Sequence, residues 1–532
     1  MNKNKIYFLI IFVVSIFFRF YNLDKLPSSL NWDEISHGYN AYSLLKTGHD
    51  QWGQSWPVFN FRAYGDYPTT LNLYLTIPFI YFLGLNALSL RLPAAILSLL
   101  FTVLIYLFAR LILKNRNLSL ITFTIASFSP WTFFPGRGVF QSNLAQFLLL
   151  LGIYLFLIKS NKKIIWIFSA MSLGLSMYSY HNTRLIAPLI ATLLIFIYRS
   201  PKIKLLFFIL TFTTIALPSY FNLFSSSSLA RNRWVGIINP NSINLINEQR
   251  RLFTSPQFLN RVVNNKVVYF TKELTTNFIL FLSPLPIFFT GSQNYQFGVP
   301  QFPLIFVYFL PFFYIGLFYC FKNMFRDKNI LIIILGFFIT LIPAALTVGD
   351  YPSIRLTIAT PFIYLFIVYG FKMLSQKTKG YLLPLILITT LLFFLNYWQK
   401  YNQYNQDFSP SWQYGYEQVI TQVKILYPKY NQIFFTKKYG EPHEFILFYW
   451  PWDPQSYQND PNLRTDFHSD WYWVNAFDKF KFINDWEIKT TVIPPKSLLI
   501  TSPSNYNSPN SKLLKTIYYP NNTPVFDIVS YD

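Results

Sequence analysis

The sequence has 532 residues, of which 52% are hydrophobic, 20% aromatic and only 12% charged. Because soluble globular proteins carry about 25% charged residues, this composition excludes an ordinary soluble enzyme, a disordered protein and a fibre. The net charge is +22, yet residues 1–397 carry +23 and residues 398–532 carry −1. The basic residues form short clusters between apolar runs, which is typical of the cytoplasmic loops of a membrane protein and not of a nucleic-acid-binding surface. The sequence therefore predicts a polytopic α-helical membrane protein with no nucleic-acid partner.

Eleven apolar runs are predicted to cross the membrane. The first follows Lys3 and Lys5 without a cleavage site, so we predict a retained signal anchor. Basic clusters after alternate runs place the N-terminus in the cytoplasm and the C-terminus outside the cell membrane. The apolar stretch 277–290 is interrupted by two prolines and is predicted to be re-entrant or interfacial. The eleven runs lie at 6–20, 88–112, 118–134, 140–158, 164–180, 185–198, 204–222, 301–321, 329–348, 353–371 and 380–397.

These assignments predict two domains. Residues 1–397 form a transmembrane domain with two large outer loops, at 21–87 and 223–300. Residues 398–532 form an extracytoplasmic α/β domain, which is large enough to fold independently. Its predicted elements are a helix over 412–425, a strand over 432–437, a helix opened by Pro442, a strand over 497–501 and a hairpin that turns at 520–524.

The first outer loop carries the clearest candidate chemistry. Asn31 and Glu34 have the spacing of a capping box, so they predict a helix that ends at Gly48 and lies on the membrane surface. Asp33, His37 and Asn40 fall on one polar stripe of this helix. Acidic residues in a first helical turn can also have a purely structural role, because they interact favourably with the helix dipole. Asp33 and Glu34 are both candidate catalytic acids, and if Glu34 serves the cap, Asp33 is left to face a site.

A second acidic residue of the same loop is Asp66, followed by Tyr67 and Pro68 directly before the second apolar run. An acid beside a proline at a membrane boundary is also typical of a plain turn. Two carboxylates in one loop just above the lipid are nevertheless good candidates for a general base, which must be ionised near the reacting hydroxyl.

Polar residues at the ends of apolar runs predict a site for an anionic head group. Ionisable side chains at membrane depth are costly and usually line a pathway or site, and a guanidinium binds two phosphate oxygens at once. A single arginine can equally extend to the interface, but several on the outer side favour a shared ligand. The candidates are Arg137, His181, Arg184, Arg231 and Arg355.

The five histidines show no metal-ligand spacing, so no metal site is predicted. Asp33 and His37 are one helical turn apart and can offer two ligands for a divalent ion, but a polar helix face explains them equally well. No phosphate-binding glycine loop is present, so no nucleotide cofactor is predicted. In the tail, a dense set of aromatic residues suits either stacking on carbohydrate or an aromatic belt and small core: Trp450, Trp452, Trp471, Tyr472 and Trp473.

The order of these motifs resembles a known family. Trp32-Asp33-Glu34 follows the first span and Gly65-Asp66-Tyr67-Pro68 precedes the second. Ser129-Pro-Trp131 through Arg137 to Gln141-Ser-Asn143, His181-Asn-Thr-Arg184 and Asp350 to Arg355 come later. The chain is similar to the bacterial relatives of protein O-mannosyltransferases and of the lipid A aminoarabinose transferase, which are GT-C fold glycosyltransferases (family 39-like) that use polyprenyl-phosphate-linked sugars.

The resemblance implies roles for several residues. Asp33 is the expected general base, Asp66 helps to shape the site, and outer arginines hold the lipid phosphate. Two positions depart from the pattern. Tyr67 stands where relatives often carry a basic residue, and Gln141 and Asn143 stand where many relatives have an acid.

Together these observations predict a membrane glycosyltransferase. It moves a sugar from a polyprenyl-phosphate donor to an acceptor hydroxyl on a protein, lipid or glycan, with inversion at the anomeric carbon. A transporter or flippase of a lipid-linked sugar is the alternative, but it would favour inverted repeats and charges near the bilayer midplane. A membrane-anchored hydrolase that uses Asp33 and Asp66 as a carboxylate pair is the third possibility.

Overall fold

A computed structural model describes residues 3–158, 160–198, 201–222, 235–253, 256–374, 382–468, 471–506 and 510–531. The described chain is mostly helical, with a sheet near the C-terminus. Its helices are α1 (Lys3–Phe20), α2 (Trp32–Thr47), α3 (Leu71–Leu83), α4 (Ala87–Leu113), α5 (Arg116–Phe128), α6 (Gln141–Leu157), α7 (Lys163–Ser176), α8 (Thr183–Ile197), α9 (Lys202–Phe221), α10 (Pro240–Leu252), α11 (Gln257–Val263), α12 (Lys266–Leu282), α13 (Leu310–Asn323), α14 (Lys328–Ala345), α15 (Thr360–Leu374), α16 (Leu382–Asp407), α17 (Tyr416–Leu426), α18 (Pro442–Tyr449) and α19 (Pro454–Gln458).

Most apolar runs of the sequence contain a helix, although some limits differ: α13 begins at Leu310 within the run 301–321, and α16 extends to Asp407 beyond the run 380–397. Four described segments are both long and apolar enough to cross a bilayer: α4, α9, α14 and the continuous helical stretch Arg355–Leu374 that ends in α15. The sequence prediction missed α3, an apolar helix inside the first outer loop that contains Pro78. It treated 277–290 as one re-entrant or interfacial segment, whereas α12 ends at Leu282 and a separate helical turn follows over Pro286–Thr290.

Packing divides the chain into two compact units. The helical unit comprises residues 1–19, 96–136 and 140–398, and the mixed unit comprises residues 20–95, 137–139 and 399–532. In the helical unit, Arg19 at the end of α1 is fully buried. Its guanidinium donates to Ser98 Oγ at 3.1 Å and to the Ser127 carbonyl at 2.8 Å, so these bonds tie α1 to α4 and to the end of α5.

The mixed unit contains a seven-stranded sheet in the order β2-β3-β4-β1-β5-β7-β6. Three neighbours are parallel, since Ile433 of β1 lies opposite Phe480 of β4 and Leu498 of β5. The other pairs are antiparallel. The strands are β1 (Gln432–Thr436), β2 (Arg464–His468), β3 (Trp471–Phe477), β4 (Phe480–Ile483), β5 (Ser497–Thr501), β6 (Ser511–Tyr518) and β7 (Pro524–Tyr531).

The predicted tail elements are confirmed. The first helix begins at Tyr416 instead of 412, β1 and β5 match the predicted strands, α18 opens at Pro442, and the closing hairpin turns between Tyr518 and Pro524. Strands β2 to β4 were not predicted. In β2 every residue is exposed, and its sequence lacks the alternation of polar and apolar residues that marks a strand.

The first outer loop and the tail share one apolar core within the mixed unit. Ile35 and Tyr39 of α2 belong to the same buried cluster as Phe445 and Phe448 of α18. The approach is close at Gly38, where a Cβ atom would lie 2.7 Å from Phe448 and from Leu90. A side chain at residue 38 would therefore displace Leu90 or Phe448, so Gly38 allows α2 to pack closely on α18.

Candidate functional site

The first turn of α2 separates the two neighbouring acids. Asn31 caps the helix by accepting a hydrogen bond from the Glu34 backbone N–H at 2.9 Å, and Glu34 accepts one from the Asn31 N–H at 3.2 Å. The predicted capping box is confirmed. Glu34 is buried at 1% exposure, whereas Asp33 is exposed.

The carboxylate of Glu34 is further bound to Arg91 near the start of α4. Arg91 Nε and Nη2 each lie 3.2 Å from an oxygen of Glu34, and the Val139 N–H donates to the same carboxylate at 3.1 Å. Arg91 also donates to the carbonyls of Leu23, Pro27 and Ser29. Because both ions are buried and fully engaged, this geometry favours an architectural role for Glu34 over the predicted catalytic one. Sequence reasoning missed Arg91, although an arginine inside an apolar run was the available signal.

An aromatic cluster lies beside Asp33. The Tyr64 hydroxyl donates to the carbonyl of Trp32 at 2.6 Å, and the Tyr64 ring stacks on Trp471 with a centroid separation of 5.4 Å. Burial raises the pKa of Tyr64 well above its usual value, and the negative charges of Glu444, Asp33 and Glu441 raise it further. The charge of Asp33 thus acts on Tyr64, a buried tyrosine whose hydroxyl holds the carbonyl of Trp32, the residue before Asp33.

The segment that carries Asp66 contacts β3, the strand that also contains Trp471. Asp66 Oδ1 accepts a hydrogen bond from the Tyr67 N–H at 2.8 Å, and the Tyr67 hydroxyl lies 3.2 Å from that of Tyr472 in β3. The guanidinium of Arg62 lies 4.1 Å from the centre of the Tyr472 ring. Tyr64 and Tyr67 therefore contact successive residues of β3, and Arg62 is a nearby cation that the sequence analysis did not select.

His37 is not part of an exposed stripe. Its Nε2 lies 3.0 Å from Thr76 Oγ1 of α3, and burial lowers its pKa to about 4, so the ring is neutral at pH 7. Asn40 is also buried and donates to Gln51 at 3.1 Å. Within the predicted polar stripe, His37 and Asn40 are thus buried, because α3 and the chain near Gln51 cover that side of α2. The geometry favours a role for His37 in holding α3 to α2.

Arg137 is also committed to the backbone. Its guanidinium donates to the carbonyls of Tyr21, Asn22 and Leu26 at 2.8 to 3.1 Å, and the residue is 1% exposed. These bonds hold the turn between α1 and α2. They favour a structural role and leave little of this side chain for the predicted phosphate contact.

The remaining predicted residues lie in the helical unit. Arg184 is buried and its Nε donates to the Met177 carbonyl at 3.5 Å, while His181 is half-buried. Arg355 is half-buried and donates to Thr347 Oγ1 at 2.5 Å. Among the described residues it makes no other hydrogen bond or ion pair, so most of its donors remain available to a ligand. Arg231 lies outside the described residues.

No group of three or more His, Cys, Asp or Glu side chains within the described ranges is arranged to hold a metal ion. One cluster of such side chains lies at the start of α18, where His443 lies between the carboxylates of Glu441 and Glu444. That cluster is an ion-pair network buried in the mixed unit.

Comparison with known proteins supports the resemblance that the motifs indicate. Residues 70–221 match the model of the dolichyl-phosphate-mannose-protein mannosyltransferase family, which confirms the predicted resemblance over that region. No curated protein matches the sequence.

Among solved structures, the chain aligns with ArnT from Cupriavidus metallidurans in the apo state at a TM-score of 0.54 and 9% identity, covering 98% of this chain and 97% of ArnT. The fold is therefore that of ArnT, a GT-C type membrane fold with a C-terminal sheet domain. The oligosaccharyltransferase of Archaeoglobus fulgidus aligns at a TM-score of 0.46 and 13% identity over 83% of this chain. The chain spans about 63% of the length of that protein.

Proposed function

We propose that this chain is a membrane glycosyltransferase that moves a sugar from a polyprenyl-phosphate carrier to an acceptor hydroxyl. The single observation that carries the proposal is the difference in burial between the two neighbouring acids at the start of α2. Glu34 is buried in the cap and bound to Arg91, while the neighbouring Asp33 is exposed. The family model matched by residues 70–221 names a dolichyl-phosphate-mannose donor, which is of this chemical class.

The proposed reaction needs one base and one anion-binding group. The carboxylate of Asp33 accepts the proton of the acceptor hydroxyl while the hydroxyl oxygen attacks the anomeric carbon of the donor sugar. The bond between the anomeric carbon and the phosphate oxygen breaks, its electron pair leaves with the polyprenyl phosphate, and the configuration inverts. A phosphate leaving group needs no metal if cationic side chains meet its developing charge.

Arg355 is our candidate for the phosphate contact. It stands at the first residue of a segment that is long and apolar enough to cross the membrane. The phosphate of a lipid carrier also lies at the boundary between polar and apolar layers, so a guanidinium at the end of a span is suitably placed to bind it. Arg184 and Arg231 stay candidates from the sequence pattern.

The charge pattern supports the placement of this reaction outside the cell membrane. With eleven spans, the basic clusters fall on the cytoplasmic side, and the loop that bears Asp33 falls on the other side together with residues 398–532. We propose a multi-pass protein of the cytoplasmic membrane whose acceptor is an extracytoplasmic protein, lipid or glycan.

The test is sugar transfer by the purified full-length protein and its Asp33→Asn variant. Undecaprenyl-phosphate sugars with a radiolabelled hexose, pentose or aminopentose serve as donors, and solubilised envelope fractions serve as acceptors. Loss of a general base typically costs about 10² to 10⁴ in rate, so transfer by the variant should be reduced at least a hundredfold. Asp24→Asn, an exposed acid of the same unit, is the matched control and should keep its activity.

Full activity of Asp33→Asn would remove Asp33 as the base. Movement of the labelled carrier across vesicles without any transfer would favour the flippase alternative instead.

A further inference from the structure

A cavity lies at one edge of the sheet of the mixed unit, at the carboxyl ends of its parallel strands. Lys437 and Lys438 directly follow β1, and Asn484, Asp485 and Trp486 directly follow β4. Asn505 comes after β5, and Trp473 and Lys489 complete the lining. Crevices outside the carboxyl ends of parallel strands are where open α/β sheets bind ligands. The cavity volume of about 560 Å³ falls within the range of about 300–1,000 Å³ that small-molecule sites occupy.

Asp485 holds the three strand ends together. Its carboxylate accepts hydrogen bonds from Thr436 at 2.8 Å and Ser502 at 2.9 Å, and its carbonyl accepts one from Asn505 at 2.7 Å. Burial alone would raise the pKa of Asp485, but these hydroxyl donors and Lys438, 3.5 Å away, lower it. The one acid of the lining is thus ionised and used within the protein, which pre-forms the cavity.

The other lining residues present cations and aromatic faces. Trp486 is 78% exposed, although a tryptophan on a water-facing surface normally covers its indole. Lys437 lies 5.3 Å from the centre of the Trp473 ring. Lys489 is exposed and makes no hydrogen bond or ion pair within the described part of the chain. The lining holds three lysines and one aspartate in a domain whose sequence is nearly neutral. Lys438 is paired with Asp485, and the carboxylates of Glu441, Glu487 and Asp466 lie close enough to act on Lys437. Lys489 therefore supplies the positive charge that is left for a ligand.

We propose that this cavity binds an acidic saccharide, one that bears carboxylate or phosphate groups. The apolar face of a sugar ring packs on an indole, and the lysines pair with the acidic groups. A neutral glycan would gain no ion pair from Lys489, and an inorganic anion would gain nothing from an exposed tryptophan. The site is independent of the transfer reaction proposed above, since it involves neither Asp33 nor the cations of the helical unit.

The experiment measures binding by the full-length protein in detergent, using isothermal titration calorimetry with trigalacturonic acid. Maltotriose is the neutral control and inorganic phosphate is the control for a simple anion site. Trigalacturonic acid should bind at least tenfold more tightly than either, and its affinity should fall with added salt because the ion pairs are screened.

Two variants identify the site. Trp486→Ala and Lys489→Gln should each weaken trigalacturonic acid binding about tenfold, which corresponds to about 1.4 kcal/mol. The matched controls are Tyr518→Ala and Lys512→Gln, an exposed aromatic residue and an exposed lysine on β6, and they should bind as the wild type does.

Three results would overturn the proposal. These are equal affinity for maltotriose, equal affinity for phosphate alone, and unchanged affinity in both cavity variants. Tighter binding of a short single-stranded oligonucleotide, through the same tryptophans and lysines, would replace the acidic saccharide with nucleic acid. None of these outcomes depends on transferase activity, so the two proposals fail separately.

Discussion

Glu34 and Arg91 form a buried ion pair in which the two side chains meet at 3.2 Å and neither is more than 2% exposed. The pair joins the first turn of α2 to the start of α4, across 57 residues of sequence. Since Asp33 is the residue directly before Glu34 in α2, its position depends on this pair. The ion pair therefore holds the candidate base, Asp33, in position.

Removal of one partner should destabilise the protein strongly. Arg91→Met leaves Glu34 as an uncompensated buried charge and frees three backbone carbonyls, so we expect a loss of about 3–5 kcal/mol in the free energy of unfolding. Glu34→Gln should cost less, because the amide oxygen still accepts hydrogen bonds and Arg91 keeps three backbone carbonyls as partners. Thermal unfolding in detergent measures both, and Arg464→Met, an exposed arginine on β2, is the control.

The double variant Glu34→Gln/Arg91→Met tests whether the two residues act together. Its loss of stability should be smaller than the sum of the two single losses. Simple additivity would show that the pair is not coupled. A folded Glu34→Gln protein that retained its stability but lost transfer would return Glu34 to the catalytic group.

Gly440 should be intolerant of a side chain. Its φ of +121° lies in the region that favours glycine, and a Cβ atom there would lie 2.7 Å from Trp32 Cε3. Gly440→Ala should therefore displace Trp32, the residue before Asp33, and reduce the transfer rate at least tenfold along with the stability. Gly53→Ala is the control, since Gly53 also has a positive φ of +87° but nothing within 4 Å of its Cβ position. Equal losses in the two variants would mean that backbone strain and not the contact with Trp32 is responsible.

His443 should make the protein less stable at high pH. Burial opposes the charged ring, but the carboxylates of Glu441 and Glu444 outweigh it and raise the pKa to about 9. The folded state thus retains a proton that the unfolded state releases near pH 6.5. The stabilisation is complete below about pH 6.5 and is lost as the pH rises through about 9. Thermal unfolding between pH 6 and 10 should show this decline, and His443→Gln should flatten it. His468→Gln, an exposed histidine beside Asp466, should leave the slope unchanged.

His37 should have the opposite pH dependence. Burial lowers its pKa to about 4, so the unfolded state binds a proton that the folded state refuses. The stability is complete above about pH 6.5 and falls as the pH drops towards 4. His37→Gln, which can still donate to Thr76, should reduce this loss in thermal unfolding measured from pH 4.5 to 7. The exposed His49→Gln serves as the control, and an unaltered acid slope in His37→Gln would place the responsible group elsewhere.

The sequence determined those features that depend on neighbours along the chain. Hydropathy defines the apolar helices because each must bury its own stretch in lipid or protein. The capping box of Asn31 and Glu34 could be predicted because its hydrogen bonds join residues three positions apart, and with it came the separation of Glu34 from Asp33. The strands β1 and β5 were evident from short apolar segments bounded by turn residues.

The tertiary structure decided which distant segments meet. Arg91 with Glu34, Tyr64 with Trp471, and His37 with Thr76 are pairs between separate elements, and no local pattern specifies such a pairing. For the same reason the sequence could not show that α3 covers His37, that Arg137 is bound to the turn after α1, or that Lys437, Trp473 and Asp485 line one cavity. Burial depends on how helices and strands pack, and that packing alone separates the exposed Asp33 from the buried polar side chains of His37, Asn40 and Arg137, which serve the fold.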